Sequence, residues 1–340
     1  MLVGAACVVV VVAGLREASQ LVLPFLVASF LAVISLPFML WLRRLGVPQI
    51  LAVLSTVLAA VAMVGLLVLT IGQSVNAFRV VAPRYQARLQ ELFDQTVLLA
   101  EEYGLPVAEG QSLDVLPVGV FDILGGALGA VASFASNSFL VLLTVVFILL
   151  EAAGFSRKLR RAFGKHVDLG QVTEMANQVQ RYLVIKTIMS ALTGILVALW
   201  VAALGLAFPA LWGVTAFLFN YIPTLGSILA AVPAVLFALV QFGPGMAALV
   251  AVGYITLNVV FGSLLEPMLL GRRLGLSTLV IFVSLVFWGW VWGPVGMLFA
   301  VPLTMVIKIT LENTREFRWV ALMLDANQPI RRVRTRAAAS

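Results

Sequence analysis

The chain has 340 residues, of which 62% are hydrophobic and only 11% charged, with a formal net charge of +7. Soluble globular proteins carry roughly 45–50% apolar and about 25% charged residues, and so much apolar surface has no place on a wetted exterior, which leaves an integral membrane protein. The positive charge does not indicate a nucleic-acid partner: lysine and arginine cluster at Arg43-Arg44, Arg157 to Lys165, Arg272-Arg273 and Arg331 to Arg336, each beside an apolar segment, as expected of cytoplasmic loops at a lipid surface.

Charge-free stretches mark the membrane segments. They run for 25 residues after Glu17, 34 after Arg44, 28 after Asp122, 79 after Lys186 and 34 after Arg273, whereas one helix needs about 20 apolar residues to cross the hydrocarbon core. The ten-residue alternation of a transmembrane β-strand is absent, so the predicted fold is all-α and polytopic. Met1 to Leu15 is short and apolar, without a basic start, and reads as a clipped first span more than a signal peptide. Leu21 to Leu42 and Gln49 to Gly72 are two further spans, completing a unit at 1–72. The insert at 73–122 holds three arginines and seven acids, which assigns it to the extracytoplasmic side. Tyr85, Leu89, Leu92, Phe93, Leu99 and Tyr103 give it an apolar helical stripe that ends at Gly104-Leu105-Pro106.

The fourth span is 123–150. Gly125, Gly126 and Gly129 near its start suit close helix packing, not a phosphate loop. A basic cytoplasmic and interfacial stretch follows at 151–182, where Val172, Met175, Val179 and Leu183 have the spacing of an interfacial helix leading into a span that ends near Leu206. The remainder divides into a transport core at 183–308 and a basic cytoplasmic tail at 309–340, with both termini cytoplasmic.

Inside 183–308 the pattern changes. Ala210 to Gln241 is 32 apolar residues, about 48 Å as one helix, and is interrupted by Asn220-Tyr221-Ile222-Pro223-Thr224-Leu225-Gly226. Met246 to Leu265 reads as a clean span. Ser277 to Lys308 repeats the over-long pattern and is broken at Trp288-Gly289-Trp290-Val291-Trp292-Gly293-Pro294-Val295-Gly296. Proline removes a helical hydrogen bond and glycine relaxes the backbone, so each segment is either a kinked span or a re-entrant hairpin. Kinked spans would put Arg272-Arg273 on the acidic side. Two hairpins obey the positive-inside bias throughout, giving six full spans and two re-entrant helical hairpins.

Soluble-type chemistry has little to work with. Cys7 is the single cysteine and His166 the single histidine, in a basic loop. Neither a catalytic triad nor a multi-histidine zinc site follows from one histidine, and there is no Walker-type loop, so neither an enzyme nor a bound cofactor is indicated. Irregular backbone at membrane depth is tolerated where it is buried or lines a polar cavity, and paired broken segments point to a substrate site near the midplane. The candidate substrate-binding residues are Asn220, Tyr221, Pro223, Thr224 and Gly226 in the first break, and Trp288, Trp290, Trp292, Gly293, Pro294 and Gly296 in the second. The competing reading is that glycine and proline here only permit close packing.

Glu266 ends the longest charge-free gap, with Asn258 and Gly262 eight and four residues before it. An acid at that depth is costly unless paired or functional, and Glu266 with Asn258 forms the candidate ion-coupling pair. Against this stands an interfacial carboxylate beside Pro267, paired with Arg272 or Arg273. Lys186, Glu151 and Lys308 lie nearer their segment ends, where snorkelling to the interface accounts for them.

Taken together, Leu264-Leu265-Glu266-Pro267-Met268-Leu269-Leu270-Gly271, Leu274-Gly275-Leu276-Ser277, the tryptophan segment through Met297, and Ala300-Val301-Pro302-Leu303 resemble the signature of the autoinducer-2 exporter-like transporter family. Asn220-Tyr221-Ile222-Pro223 with Leu225-Gly226 is similar to an earlier motif of that family. The resemblance implies a bacterial inner-membrane permease with eight hydrophobic segments, working as a homo-oligomer, a pentamer among the possibilities, by an elevator-like motion. It also implies export of autoinducer-2, a small polar solute, or sodium (lithium)/proton antiport. The short start departs from the family's usual pattern. The expectation is thus a secondary transporter of a small polar solute driven by a proton or sodium gradient; an antiporter and a non-transporting membrane scaffold or receptor are the alternatives.

Overall fold

The computed structural model describes residues 2–66, 138–163, 169–223, 225–270, 276–312 and 318–324, with a few isolated positions besides. Most of the 73–122 insert, the glycines Gly125, Gly126 and Gly129, His166, Thr224, Arg272-Arg273 and the tail Arg331 to Arg336 lie outside these residues. Among the described residues every regular element is a helix.

Helix α1 (Leu2–Glu17) leads into α2 (Ser19–Arg44). The last turn of α2 carries Arg43 and Arg44, cations that complement the negative end of the helix dipole. Gly46, at φ 88°, closes that end: its N–H donates to the Arg43 carbonyl, and the N–H of Val47 to that of Leu42. Left-handed glycine with this bond pattern satisfies carbonyls the helix leaves open. The chain then enters α3 (Gln49–Leu66). Helix α4 (Ser138–Phe163) packs on α2 and α3 through Ala28, Ala32, Met39, Ala52, Val53, Val141, Val145 and Leu149.

Helix α5 (Leu169–Ala203) joins the expected interfacial helix and the following span into one rod of 35 residues, about 52 Å long. It packs closely on α6 (Pro209–Phe219) at Gly194 and Gly213, where a Cβ on either glycine would fall 2.6–2.7 Å from the other's carbonyl oxygen. Small residues that admit such backbone approach are a common basis of helix association in lipid. Helix α7 (Leu225–Phe242) and α8 (Pro244–Leu257) follow. The segment Met246 to Leu265 is not the uniform helix expected. From Asn258 to Leu265 the backbone is π-helical, and α9 (Glu266–Leu270) resumes α-geometry. Wide turns of this kind are rare and occur largely at functional positions. Helix α10 (Thr278–Glu312) is bent at Trp292 and Gly293, and α11 (Arg318–Leu324) packs back on it.

Six of these helices are long and apolar enough to cross a membrane: Ser19–Arg44, Gln49–Leu66, Ala176–Ala203, Leu225–Phe242, Pro244–Leu269 and Thr278–Glu312. The all-α, membrane-spanning class is the predicted one. Among the described residues the apolar part of the fourth span is Leu140–Ala152, and Leu225–Phe242 and Thr278–Glu312 belong to the two broken segments.

Candidate functional site

The first break follows α6. Its last carbonyls are used within the turn: the N–H of Ile222 donates to Phe219 at 2.8 Å and that of Tyr221 to Leu218 at 3.3 Å. Gly226 sits so close to the Phe219 carbonyl that a Cβ there would overlap it. The second break has the same construction. Trp292 (φ −129°, ψ 15°) and Gly293 (φ 64°, ψ −149°) leave helical geometry, and a Cβ on Gly296 would overlap the carbonyl of Trp288. Residues seven or eight apart in a straight helix are separated by about 10–12 Å along its axis, so the backbone bends sharply at both places. Phe219 and Ile222 from the first break, and Trp288, Val291 and Trp292 from the second, belong to one buried cluster with Val197, Trp212 and Tyr254.

The polar groups gather on one face of α5. Asn220 donates from Nδ2 to Ser190 Oγ at 2.9 Å, and Tyr221 donates from its hydroxyl to Thr187 Oγ1 at 2.8 Å. On the same turn, Lys186 Nζ donates to both carboxylate oxygens of Glu266, at 2.7 and 2.8 Å. The side chains are 5% and 15% exposed respectively, so this ion pair lies inside the protein. Glu266 is held by Lys186 from another helix, a partner the sequence reading did not weigh; Arg272 and Arg273, its alternative partners there, lie outside the described residues. Lys186 does not snorkel, because its ammonium is satisfied by a carboxylate more cheaply than by reaching for water. Lys308 is buried likewise and pairs with Glu312 at 3.3 Å, while Glu151 is exposed and pairs with Lys158 at 2.7 Å.

The tryptophans separate. Trp288 and Trp292 stack with ring centroids 5.0 Å apart and are buried. Trp288 donates from Nε1 to Thr304 Oγ1 at 3.3 Å, and Trp292 to the carbonyl of Leu15 at 3.0 Å. Trp290 is exposed and lies beneath Arg16, whose guanidinium carbon is 5.0 Å from the ring centroid. Asn258 opens the π-helical segment, and its Oδ1 lies 2.9 Å from where a Gly262 Cβ would be. Gly293 is at the bend and Pro294 beside it is exposed, while Pro223 is half-buried in the first turn.

The structure therefore joins Asn220, Tyr221 and Glu266 through one helix, and leaves Trp290 apart. Of the residues that make that connection, the sequence reading gave Lys186 only a snorkelling role and did not single out Thr187 or Ser190. A signal was present: Tyr182, Lys186, Ser190 and Thr193 recur at intervals of four, four and three in an otherwise apolar run, which is one helix face. All four are buried. Such an arrangement supplies hydroxyl, amide and carboxylate groups inside a hydrophobic bundle, suited to holding a polar solute or a cation.

Comparison with known proteins places nearly the whole chain. A family described as AI-2E family transporter matches residues 5–316. The AI-2 transport protein TqsA of Escherichia coli (strain K12) is 38% identical over 319 residues, covering 93% of each chain. YhhT of the same organism is 34% identical over 330 residues, 95% of this chain and 93% of its own. A protein of Haemophilus influenzae is 34% identical over 326 residues, 92% of each chain.

Proposed function

The chain belongs to the AI-2E transporter family, and from that premise we propose that it is a secondary transporter exporting a small polar solute, with autoinducer-2 the leading candidate, coupled to a proton or cation gradient. Members of this family are transport proteins and not enzymes, and the chain is a multi-pass bacterial membrane protein. The scaffold or receptor alternative is set aside on that ground. In this reading the solute is bound at the two breaks, by Asn220, Tyr221 and Thr224 with the turn formed by Pro223 and Gly226, and by Trp288 and Trp292 with Gly293, Pro294 and Gly296. Glu266, assisted by Asn258, couples cation movement to solute movement. The protein sits in the inner membrane as a homo-oligomer with both termini cytoplasmic, and the broken segments are re-entrant hairpins.

The single observation that supports it most is the carboxylate of Glu266 inside the bundle, paired with Lys186 on the same turn of α5 as Thr187 and Ser190, the contacts of Tyr221 and Asn220. Reconstituted vesicles test it. Under an imposed proton or sodium gradient, Glu266→Gln should lose gradient-driven movement of autoinducer-2, and transport at the wild-type rate would overturn the coupling role. One observation favours a second reading, a sodium (lithium)/proton antiporter: Glu266 is the only acid between Lys186 and Lys308, so such an exchange would use the same carboxylate. Sodium-induced recovery of a pH-sensitive dye in solute-free vesicles would identify that activity.

A further inference from the structure

The function proposed above gives Glu266 a coupling role but gives its partner none. The partner is unusual. Lys186 is buried in the middle of an apolar helix and spends its ammonium on both oxygens of one carboxylate. A charge in that position is costly, and a bundle needing only rigidity would be served as well by apolar residues of similar volume. The next residues on the same face are already committed: Thr187 accepts from Tyr221 and Ser190 from Asn220. Thus the turn of α5 that neutralises Glu266 also holds the first break.

From this geometry we infer that Lys186 is the resident counter-ion of Glu266, occupying the carboxylate when no transported cation is bound, and that a proton or sodium ion binds by displacing it. The proposal rests on the coupling role of Glu266. It makes Lys186 a positioning residue with two effects. The ammonium keeps the empty site neutral, so the unloaded carrier can change conformation without a bare charge in lipid. Displacement frees the turn of α5 that bears Thr187 and Ser190, linking cation occupancy to the grip on Asn220 and Tyr221. The groups facing Glu266 from α5 are Lys186 and the phenol of Tyr182, with Tyr221 beyond it. Arg272 and Arg273 follow in the chain outside the described residues.

The test needs no transport substrate. Dicyclohexylcarbodiimide, an apolar reagent, modifies protonated carboxyl groups, and modification of Glu266 is followed by peptide mass spectrometry on the full chain in nanodiscs across pH. In the wild type, Glu266 should be labelled slowly at neutral pH, because Lys186 occupies both of its oxygens. Lys186→Gln, which keeps a hydrogen-bond donor without the charge, should be modified clearly faster at the same pH. Lys186→Arg should behave as the wild type. Equal rates in wild type and Lys186→Gln at every pH would overturn the proposal. So would rapid neutral-pH modification of the wild type alone, a result independent of whether the variant folds. The coupling reading is separated by the vesicle assay. If Lys186→Gln accelerates labelling but Glu266→Gln still couples, the counter-ion pairing stands and the displacement of Lys186 by a transported cation falls with the coupling role; if Glu266→Gln uncouples and Lys186→Gln labels normally, only the counter-ion role falls.

Discussion

Lys186 Nζ lies 2.7 Å from Glu266 Oε1 and 2.8 Å from Oε2, forming a two-point ion pair between α5 and α9 inside the bundle. Removing one partner leaves the other charge buried, which costs about 3–5 kcal/mol, while replacing both by apolar groups is often close to neutral. Lys186→Ala should therefore unfold at clearly lower temperature in detergent, and Lys186→Met combined with Glu266→Met should recover most of the loss. A double variant as unstable as the single one would show that the pair is not an isolated electrostatic unit.

The two breaks depend on one glycine each. A Cβ at Gly226 or Gly296 meets a backbone carbonyl that has no free end to swing away, whereas Gly245 has nothing within 4 Å of a built Cβ. Overpacking of this sort costs about 1–3 kcal/mol. Gly226→Ala and Gly296→Ala should both lower thermal stability and transport, with Gly245→Ala matching the wild type in both. Wild-type behaviour of either break variant would mean that the turn can relax without consequence.

Trp288 and Trp290 are two residues apart with opposite surroundings, one buried beside Trp292 and the other exposed under Arg16. Trp288→Ala should abolish most solute movement in vesicles. Trp290→Ala should stay within about twofold of wild type, since exposed substitutions usually shift free energy by no more than about 0.5 kcal/mol. Equal losses for the two would assign Trp290 a part in transport that its exposure does not suggest.

Hairpin topology has a direct readout. In a Cys7→Ala background, Gly271→Cys should react with a membrane-impermeant thiol reagent from the cytoplasmic face of inverted vesicles. Labelling from the outer face only would require the broken segments to cross the membrane as kinked spans.

Much of the architecture was legible from residue order. Hydrophobicity and the positions of the charges are local properties, and the environment of a lipid-embedded helix is set largely by its own residues. For that reason the all-α membrane class and both breaks could be read directly, the latter because Pro223, Pro294 and the neighbouring glycines act on their own backbone. The family resemblance rested on the same segments. The π-helical turn from Asn258 was not legible, because no residue in Asn258 to Leu265 forbids an α-helix.

Glu266 illustrates the division. Its place at the end of 79 uncharged residues marked it as costly and so as functional or paired. Its partner could not be read, because the nearest charges in sequence are Arg272 and Arg273, while among the described residues the charge that contacts it is carried by another helix. Pairing inside a low-dielectric bundle is selected by distance after helices pack, and Gly194 against Gly213 brings α5 and α6 close enough that Ser190 and Thr187 meet Asn220 and Tyr221. Sequence alone determined which residues are out of place in lipid; only the tertiary structure decided what each of them answers to, since a buried polar group is stabilised by whichever partner the fold brings within about 3 Å.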